Sequence, residues 1–328
     1  MTVATPPTVT LADIEAAARR IRWTVRRTPL LELEPDLYAK PENLQLTGSF
    51  KIRGAYNFLA QLPEEARQRG VVAHSSGNHA QGVACAASLL GVPATLVIPE
   101  NATPIKVART LEWGAAVVRC ENSSTARERV AQSLVEAHGY TLVPPFDHPW
   151  IVAGQGTAGL EIAHDLPGVA NVLVCVGGGG LLSGITVAVK ALLPDAQIIG
   201  VEPELAADAQ ASLQTGSVQT WDAALTARTV ADGVRTQNLG ALPFALIRDE
   251  LAGIVTVGEE AILEATRWYL ERARLVAEPT GALTLAAYRM LQRGLHQGVT
   301  LQDGPTALLV SGGNVEPAFL ADLLGSKT

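Results

Sequence analysis

The segment Val172-Leu173-Val174-Cys175-Val176-Gly177-Gly178-Gly179-Gly180-Leu181 reads as a buried strand, a glycine turn and the start of a helix. The apolar run has the length and composition of a strand covered on both faces, and the spacing from Leu181 to Leu193 is helical. Four consecutive glycines let backbone N–H groups close on an anion at a helix N-terminus. A turn used only for close helix packing is the plainer alternative, weakened by the folding entropy that four glycines cost. A dinucleotide fingerprint would read G-x-G-x-x-G. Here Gly178 and Gly180 put Ser183 in the third slot, while Glu202 closes the next strand, where a ribose-binding acid would sit. The run points to a phosphate and leaves its bearer open.

Outward from this turn, short β-like runs alternate with helical ones. Val71–His74, Ala94–Ile98, Ala116–Cys120, Tyr140–Val143, Ile198–Val201 and Ala307–Val310 read as strands. Gln81–Leu90, Pro104–Trp113 and Thr125–His138 read as helices, the second opening with a favourable first-turn proline. Near the N-terminus, Thr10 and Asp13 form a capping-box-like pair before Leu11, Ile14, Ala17, Ala18 and Ile21 at helical spacing. The alternation predicts an α/β protein with parallel sheets covered by helices.

The bulk properties exclude several classes. The 328 residues include 25 Lys+Arg and 32 Asp+Glu, a net charge of 25 − 32 = −7, with pI near 5.4 and 48% hydrophobic residues. A disordered chain would lack that apolar fraction, and a general nucleic-acid binder would need a basic face. No apolar run is long enough to span a membrane. Asp13 and Glu15 stand where a signal peptide would be basic and then apolar. Cys85, Cys120 and Cys175, odd in number and widely spaced, read as reduced core thiols. The expectation is a cytoplasmic protein with a small-molecule partner, no nucleic acid and no membrane.

Two further polar loops follow predicted strands: Ser75-Ser76-Gly77-Asn78-His79 and Ser311-Gly312-Gly313-Asn314. With Gly177–Gly180 they would converge at the carboxyl edge of a parallel sheet, where ligands bind. Lys51 lies in Thr47-Gly48-Ser49-Phe50-Lys51-Ile52-Arg53-Gly54 and, taken alone, reads as a solvated helix residue.

Together these motifs resemble the signatures of fold-type II pyridoxal-phosphate enzymes, and most closely those of threonine/serine dehydratases and serine racemases. Pro144–Pro149, Ala153-Gly154-Gln155-Gly156-Thr157 and Glu278-Pro279-Thr280 also resemble dehydratase segments, so the likeness runs from about residue 10 to the end. It implies two parallel-sheet domains, the smaller (69–146) inserted in the larger (1–68 and 147–328), and a homodimer.

The resemblance also implies roles. Lys51 would be the Schiff-base lysine and returning base, with Phe50 beside it. Gly177, Gly178, Gly179, Gly180 and Leu181 would hold the cofactor phosphate, Asn78 the ring O3′, and Ser311 the pyridine nitrogen, with Glu278 also at the cofactor. A neutral hydroxyl at that nitrogen favours elimination or proton exchange over transamination. Ser75, Ser76, Gly77, Asn78 and His79 would bind the substrate carboxylate, and Ser76 would face the far side of Cα. Arg127 aligns with a racemase arginine near the substrate, and equally reads as a solvated helix residue. Glu202, Ala206 and Asp208 resemble a divalent-cation site for Mg²⁺, Ca²⁺ or Mn²⁺, against a background of ordinary surface acids.

The implied activity is elimination from L-threonine and/or L-serine to 2-oxobutanoate or pyruvate plus ammonia. Serine racemisation and 3-hydroxyaspartate dehydration are the nearest alternatives on the same site. A nicotinamide oxidoreductase would leave Lys51 unexplained, and a non-catalytic amino-acid binder would need no such lysine. Three departures from the family pattern stand out. Leu30–Lys40 is short, which predicts that a helix near the entrance is missing. Phe146 replaces a polar residue of one racemase subgroup. The short stretch after Asn314 predicts no C-terminal regulatory domain.

Overall fold

The computed structural model describes residues 8–75, 77–100, 102, 104–295 and 298–325. Its strands in chain order are β1 (Leu31–Glu34), β2 (Leu37–Pro41), β3 (Val71–His74), β4 (Ala94–Pro99), β5 (Ala116–Cys120), β6 (Thr141–Leu142), β7 (Asn171–Cys175), β8 (Gln197–Pro203), β9 (Gly253–Val257) and β10 (Thr306–Val310). They form two sheets, β1-β2-β10-β7-β8-β9 and β5-β4-β3-β6. Every pairing is parallel except β1 with β2. The alternation therefore gives parallel α/β architecture, and the all-parallel sheet carries residues 71–142 in one continuous stretch.

β7 and β10 lie side by side in the middle of the six-stranded sheet and are buried along their whole length. Their register is pinned where the Asn171 amide donates to Thr306 Oγ1 at 3.1 Å. In consequence the glycine run after β7 and the Ser311 loop after β10 emerge at the same sheet edge, the edge where ligands bind in parallel sheets.

Helix Lys51–Leu59 is wedged between helices Asn78–Leu90 and Pro149–Asp165. Glycines permit both approaches: a Cβ on Gly82 would sit 3.1 Å from the Lys51 backbone, and one on Gly154 would sit 2.6 Å from the Gly54 Cα. Behind the same helix, Arg53 is wholly buried and bidentate to both Glu42 and Glu161 at 2.7–2.8 Å, with a further bond to Thr157. Lys40 completes the cluster, donating to the Thr28 carbonyl and pairing with Glu161 at 2.5 Å.

Some elements differ from the expectation. The Thr10–Asp13 capping box is present. The helix expected from Gln81 starts at Asn78, so Asn78 and His79 belong to its first turn. The helix expected to reach Trp113 ends at Leu111. β6 has two residues instead of four, because it pairs only with β3 at the sheet edge. Leu30–Lys40 holds the β1–β2 hairpin, turned by Asp36 at φ +62°, and no helix.

Candidate active site

Lys51 is the first residue of its helix, which aims the side chain out of the helix start toward the edge where the loops meet. Its Nζ donates to the Pro145 carbonyl at 2.9 Å. Burial pushes its pKa down to about 8, against the usual 10.5, so a substantial neutral fraction exists near physiological pH. A neutral amine is what attack on a carbonyl requires. Phe50 lies alongside, its ring centroid 5.1 Å from Nζ.

The glycine run wraps the opening turn of helix Gly180–Leu192, with Gly179 at φ +87° as its cap. Among the described residues, no hydrogen bond uses the N–H groups of Gly177, Gly178, Gly179 or Gly180, which leaves four donors for an anion at a helix N-terminus. Side chains are sterically excluded here. A Cβ on Gly178 would fall 2.3 Å from the Phe146 ring and one on Gly180 3.0 Å from the Phe146 backbone. Leu181 follows, buried. Phe146 thus packs directly on the loop, and neighbouring Asp147 accepts from Ala241 N and Leu242 N to tie down its segment.

Ser311 opens the loop after β10 with a buried hydroxyl that has no oxygen or nitrogen partner among the described residues and only the weakly bonding Cys175 thiol beside it. An unpaired buried polar group costs free energy, so this hydroxyl fits a ligand atom. Asn78 donates from Nδ2 to Glu278 Oε1 at 2.7 Å and accepts at Oδ1 from Asn314 Nδ2 at 2.8 Å. Glu278 is therefore buried against Asn78. Ser75 accepts at Oγ from Gly77 N at 3.2 Å. His79 is buried, with Nε2 3.1 Å from the Val143 carbonyl, and burial lowers its pKa to about 3, so the ring is neutral and anchors the loop to the smaller sheet. Ser76 lies outside the described residues.

A family model described as "Pyridoxal-phosphate dependent enzyme" matches residues 21–312. The chain belongs to the pyridoxal-phosphate-dependent enzyme family. Among curated relatives, L-threo-3-hydroxyaspartate ammonia-lyase of a Pseudomonas species is 44% identical over 322 residues, covering 95% of this chain and 97% of the relative. Serine racemase of Schizosaccharomyces pombe is 38% identical, covering 94% of each chain. Of solved structures, a T.th. threonine deaminase superposes with TM-score 0.86 at 47% identity, covering 94% of this chain and 99% of its own. Maize serine racemase gives TM-score 0.90 at 34% identity and 97% coverage of both.

The site fits the pyridoxal-phosphate cofactor of this family on its own physical terms. It offers an amine of lowered pKa, four unused N–H groups at a helix start and an orphaned buried hydroxyl at one sheet edge. The dinucleotide alternative fails on Glu202, which is buried and turned away, accepting from Ala209 N at 2.9 Å and Gln210 N at 2.8 Å in helix Asp208–Thr215. Cys175, expected as a core thiol, is buried and in no disulfide, yet its thiol also lies against the Ser311 hydroxyl and within Coulombic reach of Lys51 and Glu278. Its place two residues before Gly177 is the one sequence signal for that proximity.

The remaining sequence candidates belong to other elements. Arg127 sits in the first turn of helix Ser124–His138, close enough to lower the pKa of His74, whose main perturbation is burial. That position is one residue from the Ser75 loop. Glu202 and Asp208 are both buried, with Ala206 buried in the turn between them. Burial, then Asp208, raises Glu202 well above its usual range, and burial raises Asp208 to about 7. Asp208 Oδ2 has no hydrogen-bond partner among the described residues. Two buried oxygen donors that repel one another suit a hard cation. No third His, Cys, Asp or Glu joins them among the described residues.

Proposed function

We propose that the enzyme eliminates water from L-threonine and/or L-serine, and that the unsaturated amine released takes water back to give 2-oxobutanoate or pyruvate plus ammonia. The observation that carries this reading is Lys51 Nζ, with its lowered pKa, set on the same sheet edge as the unused glycine N–H groups and the orphaned Ser311 hydroxyl. When bound, pyridoxal phosphate supplies a carbonyl that captures the substrate amine and an electron-withdrawing ring that accepts the pair left on Cα.

This chain's residues do the rest. Lys51 Nζ would hold the cofactor in the resting enzyme and, as a free amine when substrate is bound, would take the Cα proton. The N–H groups of Gly177 to Gly180 hold the phosphate, and Leu181 closes the apolar wall beside them. Ser311 offers the ring nitrogen a neutral partner, which limits pyridinium character and favours elimination. Asn78, held by Glu278, donates to the ring oxygen. Ser75, Ser76, Gly77 and His79 form the loop that takes the substrate carboxylate. Phe146 on the glycine loop keeps water from that side. Residues 69–146, which carry the smaller sheet, act as the unit that closes over the substrate. Glu202, Asp208 and the Ala206 carbonyl hold a structural divalent cation (Mg²⁺, Ca²⁺ or Mn²⁺). The working form is a cytoplasmic homodimer, as family likeness implies.

A second reading, dehydration of 3-hydroxyaspartate, is favoured by Arg127, whose charge is felt at His74 just before the Ser75 loop and whose guanidinium suits a second carboxylate. Relatives named for that substrate support it. Racemisation would use Ser76 as proton donor on the face opposite Lys51. One experiment separates these outcomes: keto-acid release from L-threonine, L-serine and L-threo-3-hydroxyaspartate, beside chiral analysis of serine. Faster turnover of threonine or serine supports the main reading. A preference for hydroxyaspartate that Arg127→Gln abolishes would replace it, and D-serine forming faster than pyruvate would replace both.

A further inference from the structure

Asn78 is an inner link of a hydrogen-bonded relay that crosses between the two sheets' segments. Arg109, on helix Pro104–Leu111 beside the smaller sheet, donates from Nη1 to Asn314 Oδ1 at 2.7 Å. Asn314, on the loop after β10, donates from Nδ2 to the Thr47 carbonyl at 2.7 Å and to Asn78 Oδ1 at 2.8 Å. Asn78 then donates from Nδ2 to Glu278 Oε1 at 2.7 Å. The chain runs guanidinium, amide, amide, carboxylate.

The direction of this chain is dictated by its ends. An asparagine amide is nearly symmetric in shape but opposite in polarity at its two tips, so shape alone does not decide which tip faces which neighbour. A guanidinium only donates and a carboxylate only accepts. Arg109 therefore requires oxygen from Asn314, which turns the Asn314 NH₂ toward Thr47 and Asn78. Asn78 must answer with oxygen, and its NH₂ faces Glu278. Reversing either amide would set NH₂ against guanidinium or oxygen against carboxylate. Charged termini strengthen each bond, and bonds in series reinforce one another. The backbone makes room for the relay as well. Gly48, at φ +68°, comes so near that a Cβ there would fall 2.5 Å from Asn314 Oδ1. A cavity of about 560 Å³, lined in part by Arg109, Trp113 and Asn314, runs along its Arg109 end.

We propose that Arg109 and Asn314 are positioning residues that fix the amide direction of Asn78, so that its second N–H points at the cofactor ring oxygen. The inference rests on the assignment of Asn78 as the donor to that oxygen. Removing the guanidinium leaves only the Thr47 carbonyl and Glu278 to orient the two amides, so both are held more weakly, and whenever Asn78 rotates it presents oxygen to the ring oxygen.

The test uses the holoenzyme with Arg109→Met, Arg109→Lys, Asn314→Ala, Asn78→Ala and the double variant Arg109→Met/Asn78→Ala. Two readouts are the absorption maximum of bound pyridoxal phosphate and its dissociation constant. A third is thermal unfolding of the cofactor-free proteins. Arg109→Met and Asn314→Ala should shift the absorption maximum in the same sense as Asn78→Ala and weaken cofactor binding about tenfold, the effect of one charge-assisted hydrogen bond. Arg109→Lys should restore both, and the double variant should go no further than Asn78→Ala alone. If Asn78→Ala moves the spectrum while Arg109→Met does not, or the two effects add, the relay is wrong and the Asn78 assignment stands. A wild-type spectrum and affinity in Asn78→Ala overturn the assignment and the inference together. Loss of thermal stability in Arg109→Met, with spectrum and affinity unmoved, reduces Arg109 to a structural strut and overturns the inference.

Discussion

Gly154 and Gly54 meet backbone to backbone, with space for no side-chain atom: a Cβ on Gly154 would lie 2.6 Å from the Gly54 Cα and 2.7 Å from the Arg53 carbonyl oxygen. Because Gly54 is three residues from Lys51, the contact sets where the reactive amine stands. Gly154→Ala must push two helices apart, and nothing flexible is available to yield. We expect destabilisation toward the upper end of about 1–3 kcal/mol by chemical denaturation. Activity per folded molecule should fall too, since a small displacement of a reacting group is costly to rate.

The charge cluster behind the same helix gives a second outcome. Arg53 and Glu42 are wholly buried and satisfy one another. Burial alone would raise the Glu42 pKa, yet the Arg53 guanidinium holds it below its usual range. Arg53→Ala strands the fully buried Glu42 carboxylate, while Glu161 keeps Lys40, and should cost about 3–5 kcal/mol. Arg53→Met with Glu42→Gln should recover part of that loss, since breaking one partner of a buried pair is worse than replacing both. Denaturant midpoints of the single and double variants decide the matter.

Lys51 makes the cofactor-free protein pH-sensitive in a direction that can be worked out. Its folded pKa of about 8 lies below the unfolded 10.5, so the unfolded chain binds more protons between those values and stability rises with pH across that window. The penalty is fully present below about pH 8. Cofactor-free Lys51→Met should therefore melt higher than wild type at pH 7, and the gap should close as pH rises from 8 toward 10.5. A gap independent of pH would show that the ammonium is not destabilised by burial.

The Glu202–Asp208 pair predicts a response to chelation. A cation bound only by the folded state at a hundredfold excess over its Kd adds about 2.7 kcal/mol. A chelator should lower the melting temperature of the wild type, Mg²⁺, Ca²⁺ or Mn²⁺ should restore it, and Asp208→Asn should be indifferent to both. Wild-type protein that ignores the chelator and carries no metal by elemental analysis would remove the site.

Much of this architecture is legible in the sequence because strand, glycine turn and helix are local signals. Val172–Val176, the glycine run and the Ser311 loop fall within a residue or two of their expected bounds. Helix Pro149–Asp165 is harder to read: Gly154, Gly156 and Gly159 look like helix breakers, and only tertiary contact with Gly54, Gly184 and Ile185 explains them. The β1–β2 hairpin shows in the alternation Leu31-Glu32-Leu33-Glu34, although its turn uses Asp36 at positive φ instead of glycine. Motif residues can be named without their partners. That Glu278 reaches Asn78 across 200 positions, or Arg109 reaches Asn314 across 205, depends on how the sheets are placed, and no local pattern records it.

The most direct test of the account is the absorption spectrum and threonine turnover of wild type and Lys51→Ala, each purified with pyridoxal phosphate. We expect the wild type to show a band near the visible edge and to release 2-oxobutanoate from L-threonine. Lys51→Ala should lose both while its cofactor-free form still unfolds cooperatively. Dehydratase activity at the wild-type level in Lys51→Ala would contradict the role assigned to this lysine, and with it the reading of the whole site.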